Sequence, residues 1–230
     1  ENMLLYEALV KSMETLRVTT AAKERMESEL KIARDIQRSF LPGTRLARGR
    51  VVLAARLSPA REVGGDLYHF FDLGDDRLLF CLGDVSDKGM PAALFMSGLM
   101  IWIRAKAAEG ASPAEIVAAI NREVSGDDAA MFATLFLAVI DTRTGTFRYC
   151  DAGHCRPYVL RADGGAEELP TAKGIPVGAF EQAVYKDMER TLAPGESLVL
   201  YTDGITEAEN ALGAWFGTEG LIAALRGCGG

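Results

Sequence analysis

Three aspartates stand next to glycines, each at the end of a short apolar segment. They are Asp66 in residues 63–66, Asp84 in residues 82–89 and Asp203 in residues 200–204. The end of a strand holds a side chain rigidly, and neighbouring glycines permit tight turns that bring separate segments together. Three carboxylates that meet at one edge of a sheet would repel one another unless a cation neutralised them. Such oxygen ligands suit Mg²⁺ or Mn²⁺.

Each of these segments is also compatible with an ordinary turn, because Asp-Gly is a common turn sequence. The spacing of the aspartates therefore leaves both interpretations open. If the carboxylates do bind a pair of ions, about 4 Å apart, the ions could hold a hydroxide that attacks a phosphoryl group in line. A two-metal site of this kind predicts phosphate-ester hydrolysis.

The segment before these motifs has the pattern of one long helix. Residues 3–40 contain neither glycine nor proline. Apolar side chains recur there in steps of three and four, which is typical of an amphipathic helix and of a two-stranded coiled coil. The register breaks between Leu16 and Met26, and Pro42 and Gly43 end the helix. The apolar positions are Leu9, Met13, Leu16, Met26, Leu30, Ala33 and Phe40.

The rest of the chain alternates short strands with helices. We predict strands over residues 51–57, 67–73, 78–82, 132–141, 145–151, 157–161, 183–192 and 197–201, and helices over residues 90–108, 113–124 and 218–226. Ser112 and Glu115 form a capping box at the start of the second of these helices. Successive hairpins imply antiparallel sheets with helices on their outer faces. We therefore predict an α+β fold, a layered α/β/β/α sandwich, with a linker domain at residues 1–42 and a catalytic domain at residues 43–230.

Composition excludes several classes of protein. The net charge is −7, and residues 1–40 carry seven acidic and seven basic side chains, so the acidity lies in the remaining 190 residues. This charge disfavours nucleic acid as a partner. The four cysteines and two histidines have no zinc spacing, and they fit a reducing, cytoplasmic compartment. The longest apolar run, residues 90–103, is too short for a membrane span. The two ends suggest a piece of a longer protein, which a preceding region could tether to a membrane receptor.

The motifs follow one another in order over residues 29–210. They are residues 29–42, 62–68, 83–89 (Gly83-Asp84-Val85-Ser86-Asp87-Lys88-Gly89), 91–94, 132–136, 152–154, 174–178 and 201–208. This ordered set resembles the protein phosphatase 2C superfamily, in its bacterial branch named for stage II sporulation protein E. The resemblance implies a metal-dependent serine/threonine phosphatase. The implied substrate is a phosphorylated protein of the anti-sigma-factor antagonist type, in signal transduction that regulates stress responses.

The resemblance also implies roles for individual residues. Asp84 would bridge two Mn²⁺ or Mg²⁺ ions, with the backbone carbonyl of Val85 as a further ligand. Asp66 and Asp203 would each complete a metal shell, so these aspartates would be both catalytic and metal-binding. The helix from residue 90 would lie beside the site as a regulatory lever. Lys88 could meet the substrate phosphate, although a solvated loop lysine is the simpler interpretation.

The chain departs from the family pattern at several positions. His69 stands where the family often has an acidic residue, and Asp151 where it often has asparagine. Eukaryotic relatives carry a histidine at the position of Ser86. Because this chain has serine there, we expect water to protonate the leaving group. We interpret His154 as a structural, hydrogen-bonding histidine. The family's closing helix and strand, which supply one more acidic ligand, do not occur in the 230 residues, so we expect one metal to be loosely held.

In this branch, helices like residues 1–42 connect an upstream sensor domain to the phosphatase. A helix with an apolar stripe needs a partner helix, and a homodimer is the simplest source. We expect a rotation or a register change of the helix, at the break between Leu16 and Met26, to form or break the metal site. Two alternatives stay open: a catalytically silent dimeric module that only binds a partner, and a nucleotide-cyclase fragment built on residues 64–66. The nucleotide-cyclase interpretation assigns no function to residues 84–89.

Overall fold

The computed structural model describes residues 2–59, 63–126 and 131–227. Glu62 of the second motif and Cys228 lie outside these ranges. The helices are α1 (Asn2–Phe40), α2 (Met90–Ala108), α3 (Pro113–Val124), α4 (Asp203–Thr206) and α5 (Gly217–Gly227). The strands are β1 (Arg45–Arg48), β2 (Val51–Ala54), β3 (Leu67–Gly74), β4 (Arg77–Val85), β5 (Ala133–Asp141), β6 (Thr146–Ala152), β7 (Tyr158–Leu160), β8 (Ala166–Glu168), β9 (Met188–Thr191) and β10 (Ser197–Val199).

A five-stranded antiparallel sheet in the order β3-β4-β5-β6-β9 is the centre of the fold. Successive side chains of a strand point to opposite faces, so each strand contributes to two apolar layers. One face packs against α2 and α3, through residues such as Leu79, Leu135 and Cys150. The capping box predicted at the start of α3 is confirmed, since Ser112 and Glu115 bond reciprocally to each other's backbone.

The other face of this sheet carries an aromatic layer, including Phe80, Phe136 and Tyr149. It faces the three-stranded sheet β10-β7-β8 and the β1-β2 hairpin, which are also antiparallel. Helix α5 covers the far side, where Leu221 packs with Tyr158 and Tyr201. The layers are therefore helix, sheet, sheet and helix, and the predicted α/β/β/α sandwich is confirmed.

Helix α1 is a single run of 39 residues that ends at Phe40, before the predicted stop at Pro42. Most of its apolar side chains are exposed, among them Leu9, Met13, Leu16 and Met26. Pairing with a second helix and the domain boundary at residues 42 and 43 stay predictions. In the described ranges, no helix is both long and apolar enough to cross a bilayer. The expected tether to a membrane receptor finds no support in the structure.

Several predicted strands differ in extent. The strand predicted over residues 51–57 ends at Ala54 and pairs with β1, which was not predicted. The strand predicted over residues 183–192 shortens to β9, because only residues 188–191 pair with β6. Strand β8 was also missed, and its three residues are held by pairing with β7. Helices α2 and α3 begin and end where they were predicted.

Candidate metal centre

The three predicted aspartates come from different parts of the sheet edge. Asp66 directly precedes β3, and Asp84 is the penultimate residue of β4. The antiparallel register pairs Leu67 with Gly83, which brings Asp66 beside Asp84. Asp203 opens the helical turn α4 after β10, so it lies beyond its strand rather than at the strand's end. Asp66 and Asp84 are half-buried, and Asp203 is exposed.

The aspartates are close enough to influence one another's ionisation. Burial raises the pKa of Asp84 to about 6, and the negative charges of Asp66 and Asp203 add to this rise. Lys88 and the backbone of Val85 oppose it. Burial likewise raises the pKa of Asp66; the Asp203 charge adds to the rise, while the side chains of Thr202 and Asp84 oppose it. A divalent cation would relieve this repulsion.

The carboxylates do not form a ready-made cage. Among residues 2–59, 63–126 and 131–227, no three His, Cys, Asp or Glu side chains are grouped so that they could hold a metal ion as they stand. The structure thus brings Asp66, Asp84 and Asp203 into electrostatic contact without completing a coordination shell. The implied ligand set stays a prediction. Its chemistry, carboxylates with a backbone carbonyl, fits Mg²⁺ or Mn²⁺.

The packing of Gly65 against Val85 provides a geometric test of this fit. A Cβ atom at position 65 would lie 2.7 Å from the carbonyl oxygen of Val85 and 3.3 Å from Oδ1 of Asp84. The first distance is shorter than real Cβ contacts, so only glycine lets the two segments approach this closely. This close packing holds two predicted metal ligands, the Val85 carbonyl and the Asp84 carboxylate, against the turn that carries Asp66. The donor set, carboxylates with a backbone carbonyl, fits a small oxygen-ligated cation.

His154 supports the backbone of this centre. It is buried, and its Nδ1 lies 2.8 Å from the hydroxyl of Thr134, which donates a 3.4 Å hydrogen bond to the carbonyl oxygen of Asp84. The backbone N–H of His154 donates to Oδ1 of Asp151 at 2.9 Å. Burial lowers the pKa of His154 to about 4, so the ring is neutral at pH 7. These contacts agree with the interpretation of His154 as a structural histidine.

Ser86 is engaged by the neighbouring strand. Its hydroxyl oxygen accepts a 2.9 Å hydrogen bond from the backbone N–H of Phe132, and its own N–H donates to the Phe132 carbonyl at 2.8 Å. Asp87 and Gly89 then adopt positive φ angles of 77° and 82°, which turn the chain into α2. Ser86, where the chain departs from the eukaryotic pattern, thus adds two hydrogen bonds at the end of the β4-β5 pair.

Helix α1 contacts the centre through a residue that the sequence did not single out. Gln37 is buried, and its side-chain amide donates a 2.6 Å hydrogen bond to the carbonyl of Gly64. The N–H of Gly64 donates in return to Oε1 of Gln37 at 3.4 Å. Gln37 therefore joins the end of α1 to the turn that carries Asp66. Gln37 lies within the first of the motifs, residues 29–42, but nothing in that motif indicated a contact with Gly64.

The chain is similar to known proteins over most of its length. The family model described as stage II sporulation protein E (SpoIIE) matches residues 74–230. Protein IcfG of Synechocystis sp. is 32% identical over 225 residues, covering 86% of this chain and 35% of that protein. Phosphoserine phosphatase RsbU of Bacillus subtilis is 31% identical over 217 residues, covering 93% of this chain and 63% of that protein. The chain thus spans less than two thirds of either relative.

The fold also resembles a solved phosphatase domain. The SiaA-PP2C domain of Pseudomonas aeruginosa superposes with a TM-score of 0.71 and 25% identity, covering 90% of this chain and 83% of that one. The aligned share is larger than residues 43–230 alone, so the likeness includes part of α1 as well as the sandwich.

Proposed function

Because the chain belongs to the SpoIIE family of protein phosphatase 2C-type domains, we propose that it is a metal-dependent protein serine/threonine phosphatase. The observation that supports this most is the electrostatic coupling of Asp66, Asp84 and Asp203 at one edge of the central sheet. A structural turn has no need to hold two half-buried carboxylates together with a third. Repulsion of this kind is costly unless a cation neutralises it.

In the proposed mechanism, the carboxylates of Asp66, Asp84 and Asp203 and the backbone carbonyl of Val85 would hold the Mn²⁺ or Mg²⁺ ions. When bound, such a pair of ions supplies a hydroxide nucleophile and neutralises the phosphoryl group. Gly65 keeps the two segments in contact, and His154 holds the Asp84 backbone through Thr134. Ser86 stands where eukaryotic relatives carry a histidine, and a serine hydroxyl is too weak an acid to replace it, so water would protonate the leaving group.

The proposed substrate is phosphoserine or phosphothreonine in a protein of the anti-sigma-factor antagonist type. Support comes from the family motifs and from RsbU, whose name specifies a phosphoserine phosphatase. The exposed position of Asp203 and the half-buried positions of Asp66 and Asp84 leave the centre accessible to a side chain presented by another protein. The proposed substrate excludes phosphotyrosine, whose aromatic side chain is longer than that of phosphoserine or phosphothreonine.

The test is phosphate release from phosphoserine, phosphothreonine and phosphotyrosine peptides at increasing Mn²⁺ concentration. We expect release from the first two, saturation with Mn²⁺, and loss of activity with a chelator. Hydrolysis that survives the chelator would contradict the metal-dependent mechanism. No hydrolysis by folded, Mn²⁺-saturated protein would favour the catalytically silent module.

We further propose that residues 1–42 form a homodimeric coiled coil that links an upstream sensor domain to the catalytic domain. The exposed stripe of α1 supports a partner helix, and the contact of Gln37 with Gly64 supports a route from that helix to the centre. Analytical ultracentrifugation tests the dimer: the full chain should sediment as a dimer and the chain without residues 2–30 as a monomer. Equal activity and metal affinity of the two forms would contradict regulation through α1.

A cytoplasmic location is also proposed. Cys81, Cys150 and Cys155 are free thiols. Burial raises the pKa of Cys81 and of Cys150 to about 12, so both behave as apolar core residues rather than as reactive groups. Free thiols of this kind suit a reducing compartment.

A further inference from the structure

Residues 207–216, termed here the hairpin, connect the candidate metal centre to α5. The N–H of Phe216 donates to the carbonyl of Ala208 at 2.8 Å, and that of Asn210 donates to the carbonyl of Ala214 at 3.0 Å. Oδ1 of Asn210 accepts two more backbone N–H groups within the turn, at 2.8 and 3.1 Å. The hairpin is therefore a closed, internally bonded loop and not an extended connection.

Hydrogen bonds hold the base of the hairpin beside the metal centre. The carbonyl of Asp203, the first residue of α4, accepts the N–H of Glu207 at 2.7 Å and the Thr206 hydroxyl at 3.1 Å. The hairpin thus begins one helical turn, about 6 Å, from the backbone of Asp203. Ile205, in the same turn, lines a cavity of about 1050 Å³ whose wall also includes Asp66. The base of the hairpin and two of the three aspartates therefore lie at one edge of the fold.

Large apolar side chains of this region face solvent. Leu212 is 92% exposed, Trp215 is 65% exposed, and Ile205 at the base of the hairpin is 45% exposed. The Trp215 indole N–H donates to Oε1 of Glu209 at 3.2 Å, which fixes the direction of the ring. Among the described residues, none of the three apolar side chains packs into the buried clusters of the chain. A hydrogen-bonded loop that exposes adjacent apolar side chains is typical of an interaction site.

The charge of this surface is negative throughout. Residues 203–219 contain four acidic side chains and no basic one. Besides Asp203, these are Glu207, Glu209 and Glu219, all of them exposed. An apolar surface with this charge complements a segment that carries apolar and basic side chains, and it repels an acidic one.

The distance from the centre to the hairpin matches the reach of a bound substrate. A phosphoserine side chain is short, so the backbone of the substrate must come close to the metal centre. An extended segment advances about 3.3 Å per residue, and three residues span about 10 Å. A segment that leaves the centre toward α5 therefore crosses the hairpin within three or four residues of the phosphoserine.

We infer that the hairpin, together with Ile205, binds the segment of the phosphorylated protein that flanks its phosphoserine, and that it favours apolar and basic side chains there. The inference rests on the proposed phosphatase function and adds to it a surface that selects the substrate. Leu212 and Trp215 supply the apolar contacts, because exposed apolar groups that lose their water on binding contribute affinity. The glutamates supply the complementary charge.

The experiment is an anisotropy titration of two fluorescently labelled phosphoserine peptides with the Mg²⁺-loaded chain. One peptide has leucine and arginine next to the phosphoserine, and the other has serine and glutamate. The wild type should bind the first peptide about tenfold more tightly or better. Leu212→Ser should weaken binding of the first peptide about tenfold, equal to about 1.4 kcal/mol, and should affect the second much less.

Val184 offers a matched control. It is an apolar residue that is 76% exposed, and it lies outside the hairpin, in the connection before β9. If any exposed apolar side chain could attract the peptide, Val184→Ser and Leu212→Ser would have equal effects. A specific docking surface predicts that Val184→Ser binds both peptides like the wild type, and that Leu212→Met retains most of the affinity for the first.

Steady-state turnover separates docking from a structural effect. With Mn²⁺ and the first peptide, Leu212→Ser should raise KM about tenfold with little change in kcat, and Leu212→Met should restore KM. A fall in kcat without a rise in KM would place the effect in the metal centre and would overturn the inference. Thermal unfolding checks that the variants remain folded.

Equal affinity of the wild type for the two peptides, no binding of either, unchanged binding in Leu212→Ser, or an equal loss in Val184→Ser would also overturn the inference. So would a change of oligomeric state in Leu212→Ser, measured by sedimentation, because it would assign the hairpin to a contact between copies of this chain. Absence of hydrolysis in the wild type would refute the proposed function, whereas the peptide titration would still decide the role of the hairpin.

Discussion

Replacing Gly65 with alanine should disrupt the candidate metal centre. The new methyl group would lie 2.7 Å from the Val85 carbonyl oxygen, and ordinary van der Waals contact begins at 3.4 Å. The segments of Asp66 and Asp84 would therefore have to separate by about 0.7 Å. Overpacking of this size costs about 1–3 kcal/mol. The methyl group would also cover the oxygen atom that we propose as a metal ligand.

Metal binding should respond more strongly than folding. Mg²⁺ requires near-ideal distances of about 2.0–2.1 Å from its oxygen ligands, so a displacement of this size removes a ligand from reach. We expect Mg²⁺ or Mn²⁺ affinity to fall about 10–100-fold, as for other changes that misplace ligands. Metal titration calorimetry and thermal unfolding of the metal-free chain measure the two effects separately.

The preceding glycine is a matched control. Among the described residues, an added Cβ at Gly64 meets nothing closer than the Pro59 Cβ at 3.9 Å, and both backbone bonds to Gln37 remain available. Gly64→Ala should change stability by less than about 0.5 kcal/mol and leave metal affinity intact. The reasoning is refuted if Gly65→Ala binds metal like the wild type, or if the two variants lose affinity equally.

Two further predictions concern ionisation and the helix contact. Between the ordinary Asp pKa of 3.8 and the folded-state value of about 6, folded Asp84 binds more protons than the unfolded chain does, so this group lowers the stability of the metal-free protein as pH rises through that window. Metal-free Asp84→Asn should therefore melt above the wild type at pH 7, with the difference vanishing below about pH 4, and a lower melting temperature at pH 7 would contradict this sign. In the wild type, metal affinity should fall as pH drops through about 6, and a pH-independent affinity would exclude Asp84 as a ligand. Gln37→Met keeps the length of the side chain but leaves the half-buried backbone groups of Gly64 without their partner. It should lower the free energy of unfolding by about 1 kcal/mol and speed hydrogen exchange at residues 63–66, whereas Arg38→Met, on the exposed surface of α1, should do neither.

The sequence was most informative where one segment determines its own structure. Helix α3 has a capping box and a proline at its first position, and α2 is a glycine-bounded apolar run, so both were predicted to the residue. The turn between β3 and β4 followed from Gly74-Asp75-Asp76, and the two aspartates adopt the positive φ angles that such a hairpin requires.

Elements that depend on a distant partner were not predictable in this way. Strand β1 is largely exposed and rich in arginine, and β8 is three residues long, so neither has an alternating pattern. Each exists because a neighbouring strand supplies its hydrogen bonds. Strand β9 was predicted too long for the related reason that pairing with β6, and not its composition, sets its limits.

The same distinction holds at the candidate site. Asp66, Asp84 and Asp203 stand in recognisable motifs, and the structure brings them into electrostatic contact. Gln37 binds a backbone 27 positions away, which leaves no local pattern.

The central claim is that Asp84 is essential to a metal-dependent phosphatase centre. The most direct test measures phosphate release from a phosphoserine peptide by wild type and Asp84→Asn across a Mn²⁺ titration, with circular dichroism as the check on folding. We predict Mn²⁺-dependent turnover by the wild type and a loss of at least about 100-fold, or about 2.7 kcal/mol of transition-state stabilisation, in the folded variant. Turnover by folded Asp84→Asn at the wild-type rate and Mn²⁺ dependence would contradict the claim.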